Sequence, residues 1–202
     1  SMCGTQNEFA KMPVALIDVL AAHQIKEGIL IALLKREKTG KGCHIKTTLE
    51  ETAIASLMNQ SSNYLMAEHN PKKLGTLHPN IAPYGDIINT MDGTKLILAI
   101  GTDKQFVSFC ELIKLNASID FNTNQKRVAK REELMKIIND KTSVLKSSWL
   151  LENCHNRHIP IGKIKTVGEV MQEKIAQQMI LEEMVDGFPT KRIKTNSFEL
   201  LN

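Results

Sequence analysis

The sequence contains no apolar run long enough to cross a membrane. Its best candidate, residues 13–42, is broken by Asp18, Lys26 and Glu27 before reaching the roughly 18–20 uncharged residues that a span requires. Aromatic residues make up only 4% of the chain, too few for the stacking platforms of a single-strand nucleic-acid binder. Dense positive charge is missing as well. The net charge is +4, and the basic residues fall in separate clusters at 35–41, 126–131 and 191–194. These read as solvated helix faces, with a weak positive field that still favours an anionic ligand. The four cysteines, Cys3, Cys43, Cys110 and Cys154, have no paired spacing. They read as reduced thiols, and no signal peptide precedes the polar opening Ser1-Met2-Cys3-Gly4, so a cytoplasmic location is expected. Neither an internal repeat nor a CxxC pair is present, and Gly40-Lys41-Gly42 does not match a Walker sequence.

What is present is ordinary for a globular chain of 202 residues: 42% hydrophobic and 24% charged. That length supports one sizeable core or two small ones. Its longest nearly continuous apolar segment is PVALIDVLAAHQIKEGILIALLKREKTGKG, from Pro13 to Gly42. Val14, Ile17, Leu20, Ala21 and Ile25 recur at helical spacing, and Ile29 to Leu34 broaden the stripe. Pro13 suits a first turn, Lys35, Arg36 and Lys38 suit the negative end of the dipole, and Gly40 suits the stop. The pattern predicts a buried helix with one acid, Asp18, in its first turns. An acid there is either a cap or ion-pair member, or a functional carboxylate.

Cys43 to Thr47 predicts a short strand, and Thr48 with Glu51 a capping box that opens a second helix. Ala53, Ile54, Leu57, Met58 and Leu65 would form its half-buried face, and Pro71 its limit. Tyr84–Asn89 and Lys95–Ile100 predict a hairpin around Met91-Asp92-Gly93. Thr102 with Gln105 caps a helix whose apolar side is Phe106, Phe109, Cys110 and Ile113. Lys126–Ile138 reads as a single charged amphipathic helix. Thr142 or Ser143 starts the next, which carries Trp149, and Ile159-Pro160-Ile161-Gly162 interrupts the pattern. Thr166 with Glu169 is a third capping box, Met179–Met184 a final strand, and Phe198, Leu200 and Leu201 end a polar tail expected to dock back.

Two further constellations carry chemistry. Cys154 and His158 stand one helical turn apart, but no second cluster supplies the other ligands that zinc needs, so no metal site is expected. Gly101-Thr102-Asp103-Lys104-Gln105 lies between a strand and a helix start, where backbone amides can hold an anion or a thioester oxygen. The same pattern is equally that of a well-capped helix.

The order of Pro13–Asp18, Gly28–Leu34, Arg36, Thr39–Gly42, Asn63-Tyr64-Leu65, His78-Pro79-Asn80-Ile81-Ala82-Pro83-Tyr84, Asp92-Gly93 and Gln105-Phe106 resembles the class III CoA-transferases of the CaiB/BaiF type. The resemblance covers roughly residues 2–184. It implies an α/β fold: part of a Rossmann-like large domain at 1–75, a smaller α+β domain at 76–184, and a tail, 185–202, returning to the large domain. The family's first half has no counterpart in this sequence. Asp18 falls at the position of the family's catalytic aspartate. Gly101, Thr102 and Gln105 fall in a loop that folds over the nucleophile and is glycine-rich in formyl-CoA transferase-like members; here only Gly101 remains.

The implied activity is CoA transfer from an acyl-CoA to a carboxylic acid through an aspartyl-CoA thioester. A CoA thioester is then the substrate, and no tightly bound cofactor is expected. Splitting the transfer in this way is nucleophilic catalysis; it needs an ionised carboxylate, which helix N-terminal amides favour, and exclusion of water. Alternatives are a 2-methylacyl-CoA racemase of the same family, in which the aligned aspartate moves the α-proton, and an inactive module serving dimerisation. The resemblance also implies an interlocked homodimer, with Leu74–Pro83 and the chain after Glu183 as linkers. Neither nucleic-acid nor membrane partners are expected.

Overall fold

The computed structural model describes residues 3–5, 7–116 and 119–199. They divide into two units, 1–82 and 83–202.

In the first unit helix α1 spans Leu16–Thr39. Pro13 lies in the lead-in, and Ala15 is the N-cap. Asp18 sits in the first turn, Arg36 and Lys38 in the last, as the dipole favours. Gly40 adopts the left-handed conformation (φ 68°) and donates its N–H to Arg36 O at 2.7 Å, closing the helix. The expected burial of α1 is not found: Ala21 is its sole buried residue among those described. The reason is geometric. Apolar side chains surround the whole helix, and the short neighbouring elements cover only one strip of it. That strip includes Gly28, where a Cβ would stand 3.1 Å from Ile45 Cγ2. The segment 43–47 therefore passes close over α1, but it has no strand partner and is not a strand.

Helix α2 (Leu49–Ala55) begins as expected at Thr48, whose Oγ1 accepts from Glu51 N at 3.1 Å and donates to Glu51 Oε2 at 2.8 Å. It then stops early. Ser56 Oγ donates to Thr52 O at 2.7 Å, a local bond that competes with helix continuation, and Met58 takes a positive φ of 52°. A separate α3 covers Asn59–Ala67 and ends at Glu68 (φ 51°). The expected half-buried face of a single helix is absent; Thr52 is the buried residue of α2, and α3 has none.

The second unit is built on an antiparallel sheet. Strands β1 (Tyr84–Asn89) and β2 (Lys95–Ala99) form the expected hairpin, with Gly93 at φ 71° in the turn. A third strand, β3 (Ile161–Lys163), adds to the far edge of β2 and pairs Leu98 with Ile161. Ile88, Leu96 and Leu98 are fully buried, and the core continues through Phe106, Phe109 and Cys110 of α4 (Asp103–Leu112). It also takes in Leu134 and Ile138 of α6 (Arg131–Thr142) and Leu150 and Cys154 of α7 (Ser147–Asn156), with α5 (Asn124–Ala129) preceding α6. Ile113, just past α4, is buried with them as its spacing predicts.

Three boundaries differ from expectation. The charged helix is two helices, broken at Lys130 (φ −110°, ψ 31°). Thr142 does not start α7; its Oγ1 donates to Asn89 O at 3.0 Å, tying α6 to β1. The strand after α8 (Val167–Met171) and α9 (Lys174–Gln178) is not the last. β4 (Ile180–Val185) pairs antiparallel with β5 (Phe188–Ile193), an element the polar composition of the tail hid. Of the apolar residues expected to dock the tail, Phe198 is exposed, while Leu200 and Leu201 lie outside the described residues.

Candidate functional site

Asp18 is the third residue of α1, at the positive end of the helix dipole. Ala15 supplies no capping side chain. The Asp18 carboxylate is exposed, and no hydrogen bond or ion pair to it is formed among the described residues. Among the described residues it is therefore neither a cap nor an ion-pair member. Steps of four, three, four and four residues place Asp18, Ala22, Ile25, Ile29 and Leu33 on one side of the helix. His23, five residues on, and Glu27, nearly opposite, are directed elsewhere around the axis.

The Gly101–Gln105 segment is in the other unit and is closed on itself. Gln105 Oε1 accepts from Gly101 N at 3.0 Å and from Thr102 N at 3.2 Å, while Thr102 Oγ1 accepts from Gln105 N at 3.2 Å. This is a complete capping box. A ligand approaching those two amides would have to displace the Gln105 side chain. Asp103 is engaged by the buried Arg127, at 2.5 Å.

His78 Nδ1 accepts from Asn80 N at 3.1 Å, which assigns the ring proton of the neutral form to Nε2. Asn80 in turn exchanges side-chain amide bonds with Asn63 at 3.0 and 3.3 Å. Two elements of the family-like pattern, Asn63-Tyr64-Leu65 and His78–Tyr84, are thus joined.

Cys154 and His158 do not form a pair of ligands. Cys154 is in the core, where burial pushes its thiol up to about 12, whereas His158 lies beyond the end of α7 at φ 55°. Among the described residues no group of three or more His, Cys, Asp or Glu is placed to hold a metal ion. All four cysteines are unpaired, and no described helix is long and apolar enough to cross a membrane.

Sequence reasoning missed two tertiary clusters. Asp86 and Arg131 meet at 3.4 Å, and burial raises the Asp86 carboxyl above its usual range against the opposing pull of Arg131. Asp92 receives Thr90 Oγ1 and Ser147 Oγ, each at 2.6 Å. No local pattern announces the Asp86–Arg131 pair or the bond from Ser147 to Asp92, because those partners lie far apart in sequence.

Residues 1–199 match CoA-transferase family III. The chain is 35% identical over 191 residues to a succinate–glutarate CoA-transferase of Agrobacterium fabrum, covering 92% of this chain and 47% of that protein. It is 32% identical over 164 residues to the human succinyl-CoA:glutarate CoA-transferase, covering 79% and 37% respectively. A crystal structure of a CAIB/BAIF family protein from Brucella suis superposes with a TM-score of 0.67 at 31% identity, over 98% of this chain and 52% of that one. A Mycobacterium tuberculosis protein shares the fold with a TM-score of 0.78 at 17% identity, over 96% of this chain and 51% of that one. The chain belongs to CoA-transferase family III. It spans about half the length, or less, of the curated relatives named here.

Proposed function

We propose that this chain forms part of an enzyme that moves CoA between an acyl-CoA and a carboxylic acid, with Asp18 as the nucleophile. The observation that carries this is the exposed Asp18 carboxylate, without a partner among the described residues, in the first turn of α1 of a family III chain. Named relatives act on succinate, glutarate and oxalate or their CoA esters, so the proposed substrates are short dicarboxylic acids. Residues 1–75 are proposed as part of the Rossmann-like large domain, with 76–184 as the smaller domain and 185–202 returning to the first. Gly101, Thr102 and Gln105 are proposed contacts of the CoA thioester. The complete protein would be an interlocked cytoplasmic homodimer.

The reaction has four bond exchanges. Asp18 Oδ attacks the thioester carbonyl, and CoA thiolate leaves, giving an aspartyl–acyl anhydride. The thiolate attacks the aspartyl carbonyl, releasing the donor acid as its carboxylate and leaving Asp18 as a CoA thioester. The acceptor carboxylate attacks that thioester and expels the thiolate, forming a second anhydride. Attack of the thiolate on the acceptor's acyl carbon then yields the new CoA ester and frees Asp18. No net proton is consumed, and water has to be kept from every intermediate.

The test uses the complete enzyme. After incubation with succinyl-CoA and digestion, the Asp18 peptide should carry CoA or, after hydroxylamine, a hydroxamate. Asp18→Asn should lose several orders of magnitude in kcat with thermal stability retained. Undiminished transfer by Asp18→Asn would overturn the reading. Exchange of the α-proton with deuterated water and no adduct would replace it with the racemase chemistry.

A further inference from the structure

Arg127 is a buried cation in the second unit, and a buried charge costs stability unless its contacts repay it. Two of its contacts converge on the first turn of α4. Nη2 donates to Asp103 Oδ1 at 2.5 Å, and the guanidinium carbon lies 4.4 Å from the centre of the Phe106 ring. Asp103 and Phe106 are the first and fourth residues of that helix, and Thr102 is its N-cap. The cap is joined to the same turn by two bonds: Phe106 N donates to Thr102 O at 3.0 Å, and Gln105 N donates to Thr102 Oγ1 at 3.2 Å. Both involve backbone donors, so both remain when the Gln105 side chain gives way to a ligand. A third Arg127 contact, from Nη1 to Phe121 O at 3.1 Å, ties the cation to a core residue.

We infer that Arg127 is a positioning residue for the 101–105 loop, an inference that rests on the loop contact with the CoA thioester proposed above. Arg127 acts through Asp103 and Phe106: it fixes the first turn of α4 and, with that turn, the amides of Gly101 and Thr102. A planar guanidinium suits this task. One face lies over a ring while its edge holds a carboxylate and a carbonyl, so the side chain is fixed in direction as well as in place. A donor displaced by about 1 Å meets its acceptor poorly, and a loop that presents amides to a ligand needs a rigid support behind it.

The test is calorimetric binding of succinyl-CoA to the complete enzyme in an Asp18→Asn background, which keeps the transfer chemistry out of the readout. Arg127→Lys should raise Kd about ten-fold at undiminished stoichiometry. A residue that only holds up the fold would do the reverse, lowering the stoichiometry and leaving Kd unchanged. Asp103→Asn changes an exposed side chain that folding tolerates, and it decides the matter if Arg127→Lys gives no folded protein. It should raise Kd about three-fold through loss of the ion pair. Removing a negative charge beside the amides would by itself tighten binding of an anionic ester, so a rise isolates the lost positioning. An unchanged Kd in folded Arg127→Lys, or an unchanged or lower Kd in Asp103→Asn, would overturn the inference. Gln105→Ala separates that failure from failure of the loop contact. If it alone alters Kd, the loop contact stands and Arg127 has no part in it; if none of the three variants does, both fall.

Discussion

Asp92 caps helix α7 from the turn of a hairpin: its Oδ1 accepts from Ser147 N at 3.2 Å and its Oδ2 from Ser147 Oγ at 2.6 Å. The residue at the N-cap itself, Lys146, contributes no capping side chain. A carboxylate 55 positions away in sequence therefore satisfies the helix start and locks the β1–β2 turn to α7.

Asp92→Ala should accordingly lower Tm by a few degrees, measured by calorimetry. The hydrogen bonds from Ser147, followed by that from Thr90, hold the Asp92 carboxyl well below the usual carboxylate range. A depressed folded-state value means that this stabilisation is present above the unfolded value of about 3.9 and is lost as pH falls below it. The wild-type and Asp92→Asn stability curves should converge only below about pH 4.

Arg127 should be among the most sensitive residues of the second unit. Its side chain is 2% exposed, donates to Phe121 O at 3.1 Å and to Asp103 at 2.5 Å, and stacks 4.4 Å from the Phe106 ring. Arg127→Met keeps bulk but leaves the Phe121 carbonyl without this donor, at a cost of about 2–4 kcal/mol in denaturant unfolding. Arg127→Lys should not restore stability, because the fork and the stacking plane are both lost.

Thiol reactivity should divide the cysteines into pairs. Cys3 and Cys43 are exposed, whereas Cys110 and Cys154 are buried, with thiols pushed up to about 11 and about 12 by burial. At pH 8 a disulfide reagent should titrate two thiols quickly, and the other two only on unfolding. Rapid modification of all four in the native protein would contradict the core described here.

Gln105→Ala should destabilise α4 by about 1 kcal/mol, since Gly101 N and Thr102 N lose their shared acceptor. Gln105→Glu retains an acceptor at the third helical position and should fold with wild-type stability. In the complete enzyme the alanine variant changes KM for the CoA ester if this loop meets the thioester. An unchanged KM assigns the loop to capping alone.

The N-caps at Thr48, Thr102 and Thr166, each paired with a side chain three residues on, were readable because both partners lie within one helical turn. The same locality made the β1–β2 hairpin and the apolar face of α4 visible in the sequence. Family membership was readable too, from the order of motifs along the chain, and with it Asp18 as a candidate. Other features required the folded chain. Strand β3 is three residues long and exists because β2 offers it an edge. The capture of Thr142 by Asn89 depends on where β1 places that carbonyl. Sequence periodicity showed that α1 is apolar, but not that its Asp18 side stands uncovered. Periodicity reports which residues share a face; burial of that face depends on whether another element is present to pack against it.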